Sequence, residues 1–201
     1  VILVTCAVGK ELAFFRPQPH VEMLVTGVGP VESAASVSRA LAQSSYDLVV
    51  SAGIAGAFEG AAELGEGVVV SEELFELDLE TGVPIALPDG AQVINRASSD
   101  LTLVDRLVEL GFRVVRGMTV PRVTATDASA ARLAAFGVGV ETMEGFAVLR
   151  AAEMAGVPAV EVRGISNIVC DRNNSRWDFS AGVQGVQAIL TALLSITATA
   201  E

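Results

Sequence analysis

Short apolar runs alternate along this chain with longer stretches in which apolar residues recur every three or four positions. Residues 1–7, 21–26 and 46–51 are runs of the first kind. Their length and β-branched content predict strands buried on both faces. After the second run, Gly27-Val28-Gly29-Pro30 breaks the strand pattern, and Val31, Ala34, Ala35, Val37, Ser38 and Leu41 follow helical spacing to about Gln43. Pro30 suits the first position of such a helix, where a missing N–H costs nothing.

The same alternation continues. Residues 68–70 are strand-like, 84–92 turn-rich, 101–110 helical with Gly111 as a left-handed cap, and 113–119 a strand. Asp127 is expected to cap a short helix running to Ala135, followed by a strand over 136–140 and a helix over 145–155. A last strand over 159–164 leads through a polar loop to a terminal helix over 179–200. Strands alternating with helices predict an α/β fold with a mixed, largely parallel central sheet flanked by helices. No repeat or linker interrupts it, so residues 1–201 are expected to form one domain.

Composition narrows the function. With 51% apolar and 18% charged residues the chain is expected to bury a sizeable aliphatic core. A net charge of −11 and an isoelectric point near 4.5 exclude a nucleic-acid partner, which needs a basic face. Cys6, Cys170 and the single His20 form no metal or redox spacing. No metal site is expected, and the thiols are read as reduced, in a cytoplasmic protein. The chain opens without a secretory signal pattern. Ser180, Gln184, Gln187, Thr191, Ser195 and Thr197 interrupt the apolar terminal stretch at helical spacing, which predicts a packing helix and no membrane span. Between Glu59 and Glu80 stand eight acidic residues and no basic one, read as a solvated acidic flank.

Candidate chemistry concentrates where strands end. Glu141-Thr142-Met143-Glu144 precedes a helix, and Arg163-Gly164-Ile165-Ser166-Asn167 closes a strand on an amide. Open α/β sheets bind ligands outside the carboxyl ends of their strands. An anionic clamp beside a neutral hydrogen-bonding group suits a nucleoside. The Gly27-x-Gly29 pair lacks the third glycine of a dinucleotide fingerprint, because Glu32 stands in that slot. The small residues 52–56 admit a close backbone approach, but no Arg or Lys lies between Gln43 and Ala91, which disfavours a phosphate cosubstrate.

Taken in order, Gly27-Val28-Gly29, Ala52-Gly53-Ile54-Ala55-Gly56, Glu141-Thr142-Met143-Glu144-Gly145 and Arg163 to Asn167 resemble the nucleoside phosphorylase/nucleosidase superfamily. The nearest branch is that of the 5′-methylthioadenosine/S-adenosylhomocysteine nucleosidases. Within it, Ile165-Ser166-Asn167 and the following Asp171-Arg172-Asn173-Asn174-Ser175-Arg176-Trp177-Asp178 most resemble the futalosine hydrolases. The resemblance implies cofactor-free hydrolysis of a purine nucleoside by water, in a homo-oligomer of two or more chains. It assigns Glu144 to the ribose hydroxyls, Met143 to the sugar face, Glu11 to the attacking water and Asn167 to the leaving purine. Thr124, with Thr126, is placed beside the base. Arg172 and Arg176 are candidates for the carboxylate of a benzoate-bearing 5′ tail, and Trp177 for a pocket wall or a helix anchor.

Two departures matter. Asn167 stands where adenosine-type enzymes carry an aspartate, and Ile54 where they carry a serine. An amide cannot protonate a purine, but its NH2 donates to N7 or O6 of a 6-oxopurine. Hypoxanthine is therefore the expected base. The alternatives are a methylthioadenosine-type nucleosidase and a nucleoside-binding module without turnover.

Overall fold

The computed structural model describes residues 1–77 and 85–198. Among these residues eight strands form one sheet: β1 (Ile2–Cys6), β2 (Val21–Val25), β3 (Leu48–Ala57), β4 (Gly67–Phe75), β5 (Arg96–Ser98), β6 (Arg113–Thr119), β7 (Val140–Thr142) and β8 (Ala159–Ile168). Among the described residues five α-helices flank it: α1 (Pro30–Gln43), α2 (Leu101–Glu109), α3 (Asp127–Ala134), α4 (Gly145–Ala155) and α5 (Phe179–Ala198). The sheet is mixed and largely parallel, as expected. β2, β1, β3 and β8 run parallel to one another, as do β4, β6 and β7. The two sets meet antiparallel at β3–β7 and β4–β8. Pairing therefore passes from β3 through β8, β4, β6 and β7 back to β3, closing part of the sheet on itself.

Several boundaries differ from the sequence reading. β3 does not stop at residue 51 but continues through the glycines to Ala57, because β8 pairs with it as far as Ile168. β8 likewise outruns its expected end at Gly164. β7 begins at Val140, not at residue 136. Phe136 and Gly137 still donate to Leu133 and Ala134 at the end of α3, and Gly137 has φ +72°, so helix termination uses the residues assigned to that strand. Thr126, not Asp127, caps α3 by accepting from the Ser129 N–H at 3.2 Å. Asp127 instead accepts from the Asp171 N–H at 2.7 Å.

The acidic stretch is not simply solvated. Glu73 is fully buried, while Glu66, Glu72 and Glu76 pair with Arg113, Arg116 and Arg132. Asp78 and Glu80 of that stretch lie outside the described residues, as do Pro84 of the expected loop and residues 199–200 of the expected terminal helix.

α5 presents Val186, Ile189, Leu190 and Leu193, all without exposure, to the sheet core beside Val50, Val69 and Val162. It is apolar and long enough to cross a membrane by length and composition alone. Its contacts identify it as a packing helix, as expected. Backbone meets backbone there: a Cβ on Gly164 would stand 1.9 Å from the Gly182 carbonyl oxygen. On the other face α4 covers Leu3, Val49 and Ala159 with Val148, Leu149 and Ala152.

Candidate active site

A cavity of about 260 Å³ opens where β1, β3, β7 and β8 end. Glu11, Met143, Glu144 and Asn167 all border it, with Trp177 and Phe179 at its mouth. A larger depression of about 610 Å³, beside Val1 and His20 at the amino ends of the strands, contains none of these groups.

Glu11 sits on a 3-10 turn, Gly9–Leu12, directly after β1, and is 4% exposed. The Val8 N–H donates to its Oε2 and the Ile54 N–H to its Oε1, each at 3.0 Å. Both oxygens are thus aimed by backbone while each keeps a lone pair free. Glu144 precedes α4 and accepts at Oε1 from the Gly29 N–H at 2.9 Å. The Gly27-x-Gly29 turn therefore serves a side chain of the protein itself. Gly27 and Gly29 have φ +88° and +94°, which explains why glycine stands at both positions. Burial pushes the Glu144 carboxyl up, against the opposing pull of Arg163 and the Gly29 amide.

Behind these two acids lies a layer that the sequence reading left without a role. Arg163, 1% exposed on β8, donates from Nε to Glu161 Oε1 at 2.7 Å and from Nη2 to Ser51 Oγ at 3.1 Å. Its Nη1 lies 4.0 Å from Glu144 Oε2. A Cβ on Gly53 would stand 2.6 Å from that Nη1 and 2.7 Å from Glu11 Oε1, so the missing side chain lets cation and acid share one space. Burial opposes the charge on Arg163, but Glu161, Glu144 and Glu11 hold its pKa above the ordinary value. Glu73 extends the layer, accepting from Thr119 at 2.8 Å and Thr142 at 2.9 Å. Burial and the charge of Glu161 push the Glu73 carboxyl well up. Burial also pushes the Glu161 carboxyl up, against the pull of Arg163, and its Oε2 is buried without a hydrogen-bond partner among the described residues. The clue was available: Glu161 and Arg163 are charges two apart in an otherwise apolar strand, and buried charges must be paired.

Asn167 is 5% exposed near the end of β8. The Ser166 hydroxyl donates to its Oδ1 at 2.9 Å, which leaves Nδ2 as the amide's donor toward the cavity. Thr124 is placed differently from the expectation. Its N–H and hydroxyl both donate to Glu141, another carboxylate bordering the cavity, and Val123 is the residue of that segment that lines the wall. Arg172 and Arg176 are exposed and do not border the cavity. Arg172 nevertheless lies over the Trp177 ring, 5.0 Å from its centroid.

Cys6 is buried under the site as a free thiol, pushed up to about 12 by burial and by Glu11, and Cys170 is also free. Cys6 is therefore not poised as a nucleophile. Among the described residues no group of three His, Cys, Asp or Glu side chains could hold a metal ion.

Fold and site together define a member of a known class: the sequence pattern of the phosphorylase superfamily matches residues 3–197, and the chain belongs to that family. Among its relatives, the futalosine hydrolase of Streptomyces coelicolor is 37% identical over 177 residues, covering 78% of this chain and 71% of that one. The futalosine hydrolase of Thermus thermophilus is 32% identical over 180 residues, covering 86% of this chain and 80% of that one. The solved futalosine hydrolase of Helicobacter pylori has the same fold, with a TM-score of 0.80 at 17% identity over 96% of this chain and 97% of that one.

Proposed function

We propose that this protein hydrolyses the N-ribosidic bond of futalosine, releasing hypoxanthine and dehypoxanthine futalosine. The observation that carries the reading is the convergence of Glu11, Glu144 and Asn167 on one cavity. Its support comes also from the relatives, which bear that activity in their names.

Each group has a task that its geometry suits. Glu144 accepts from the ribose hydroxyls, and its charge stabilises the positive charge that grows on the sugar as the bond to the purine breaks. Glu11 orients the attacking water and takes its proton. Arg163 keeps the two acids apart in charge and in place. Asn167 donates through Nδ2 to the purine that departs with the bonding electrons. Met143 packs beside the sugar. Trp177 walls the 5′ end, and Arg172, stacked on it, is our candidate for the tail carboxylate, with Arg176 nearby. We further infer a homo-oligomer. Met23, Val25, Val28 and Val31, between 46% and 77% exposed, leave apolar surface on the edge strand and first helix, and Val28 also borders the cavity. The free thiols suit the reducing cytoplasm, where we place the enzyme.

Futalosine supplied in phosphate-free buffer is expected to yield hypoxanthine, followed by chromatography. No release, or release only after phosphate is added, rejects the reading. Asn167→Asp probes the amide. We expect the ratio of turnover on futalosine to turnover on methylthioadenosine to fall at least about tenfold, because a carboxyl group accepts from a 6-amino group and not from a 6-oxo group. An unchanged ratio would show that Asn167 does not select the base.

A further inference from the structure

Asn167 alone does not settle which purine the site prefers, since an amide donates to N7 of either base and can face a 6-amino or a 6-oxo group. A second polar side chain stands across from it. In the sheet, Gly56 pairs with Asn167 of β8 on one side and with Glu141 of β7 on the other. Residues paired in this way direct their side chains to the same face. Between the two, Gly56 has only hydrogen, and a Cβ there would stand 2.8 Å from Val169 Cγ2 and 3.0 Å from Asn167 Nδ2, so the glycine lets the Asn167 amide sit close over the strand. The two flanking backbones are two strand spacings apart, about 9–10 Å. That span matches the distance between the polar edges of one flat bicyclic base held in the cavity that Gly56, Glu141 and Asn167 all border. Glu141, 7% exposed, borders the same cavity.

We infer that Glu141 is a specificity-determining residue that accepts a hydrogen bond from N1–H of a 6-oxopurine while Asn167 donates to the acceptors of its other edge. This rests on the reading of the cavity as a purine-nucleoside site and deepens it. The chemistry is a difference in one proton. Hypoxanthine carries hydrogen on N1 and adenine carries a lone pair there. An ionised carboxylate accepts from the first and repels the second, so it rejects as well as attracts. The Thr124 donors favour that state: its N–H lies 3.2 Å from Oε1 and 3.3 Å from Oε2, and its hydroxyl donates to Oε2. These donors oppose burial, which pushes the Glu141 carboxyl up, and the charge of Glu76, which adds to that push. Oε1 keeps a lone pair for a ligand. The alternative role is purely structural, with Glu141 doing no more than fastening the segment around Thr124.

Calorimetric titration of the whole protein with free hypoxanthine and free adenine separates the two. The unaltered protein is expected to bind hypoxanthine more tightly. Glu141→Gln keeps a carbonyl for Thr124 but loses the charge. It should bind hypoxanthine about 10- to 100-fold more weakly, the usual effect of losing a hydrogen bond to a charged group. Adenine binding should hold or improve, because the new NH2 can donate to its N1. Equal losses for both bases, or no loss for either, overturn the inference and leave the purine site standing. If the unaltered protein binds neither base, the purine reading itself fails and the inference with it. Should Glu141→Gln not fold, 1-methylhypoxanthine offered to the unaltered protein takes its place. Weakened binding relative to hypoxanthine is expected, and equal binding overturns the role of N1–H.

Discussion

Glu11→Gln is expected to lower turnover of futalosine by about 10²- to 10⁴-fold, the range ascribed to a general base, while hypoxanthine affinity changes little. The carboxylate is buried and its two oxygens are fixed by the Val8 and Ile54 amides. A glutamine in the same place loses its basicity and must also turn an NH2 toward one of those N–H donors. That mismatch costs about 1–3 kcal/mol, so thermal denaturation of the variant belongs beside its kinetics. Single-turnover hydrolysis measures the chemical step, and calorimetry with hypoxanthine measures the pocket. Loss in the first without loss in the second is the pattern of a group acting in the transition state. If turnover falls by less than about tenfold, Glu11 is not the base.

The second large effect concerns stability. Gly164→Ala places a methyl 1.9 Å from the Gly182 carbonyl oxygen and 2.5 Å from the Val186 nitrogen. Both are backbone atoms of α5, so no side chain can swing aside. Either the helix lifts off β8 or the strand bends, and both disturb the cluster around Ile189, Leu190 and Leu193. Overpacking of this kind costs about 3 kcal/mol, which for a chain of this size lowers Tm by roughly 6–12 °C. A calorimetric Tm within about 2 °C of the unaltered protein would show that the contact is softer than the geometry implies.

Much of this architecture was legible in the sequence. α1, α4 and β6 have the expected bounds, because caps, periodicity and β-branched content agree there. The acids at strand ends were legible too, since polar residues closing apolar runs are conspicuous. What local pattern could not give was how far a strand runs when its residues are small. The first part of β3 was expected as a strand to residue 51, and its small residues 52–57 extend it only because β8 lies alongside them. Long-range contacts were hidden for the same reason. Nothing near Gly29 announces that its amide is spoken for by Glu144, 115 residues away. Arg163 and Glu141 were in plain view but had no role until pairing across the sheet set them beside Glu11 and Asn167.

The amides around Glu11 have one more implication. Adjacent backbone N–H groups converging at strand ends are the sort of concavity that receives free inorganic oxyanions. Here a tethered anion already resides in it. Because that resident is covalently part of the chain, rising concentrations of a dissolved oxyanion do not compete it away from the Val8 and Ile54 amides.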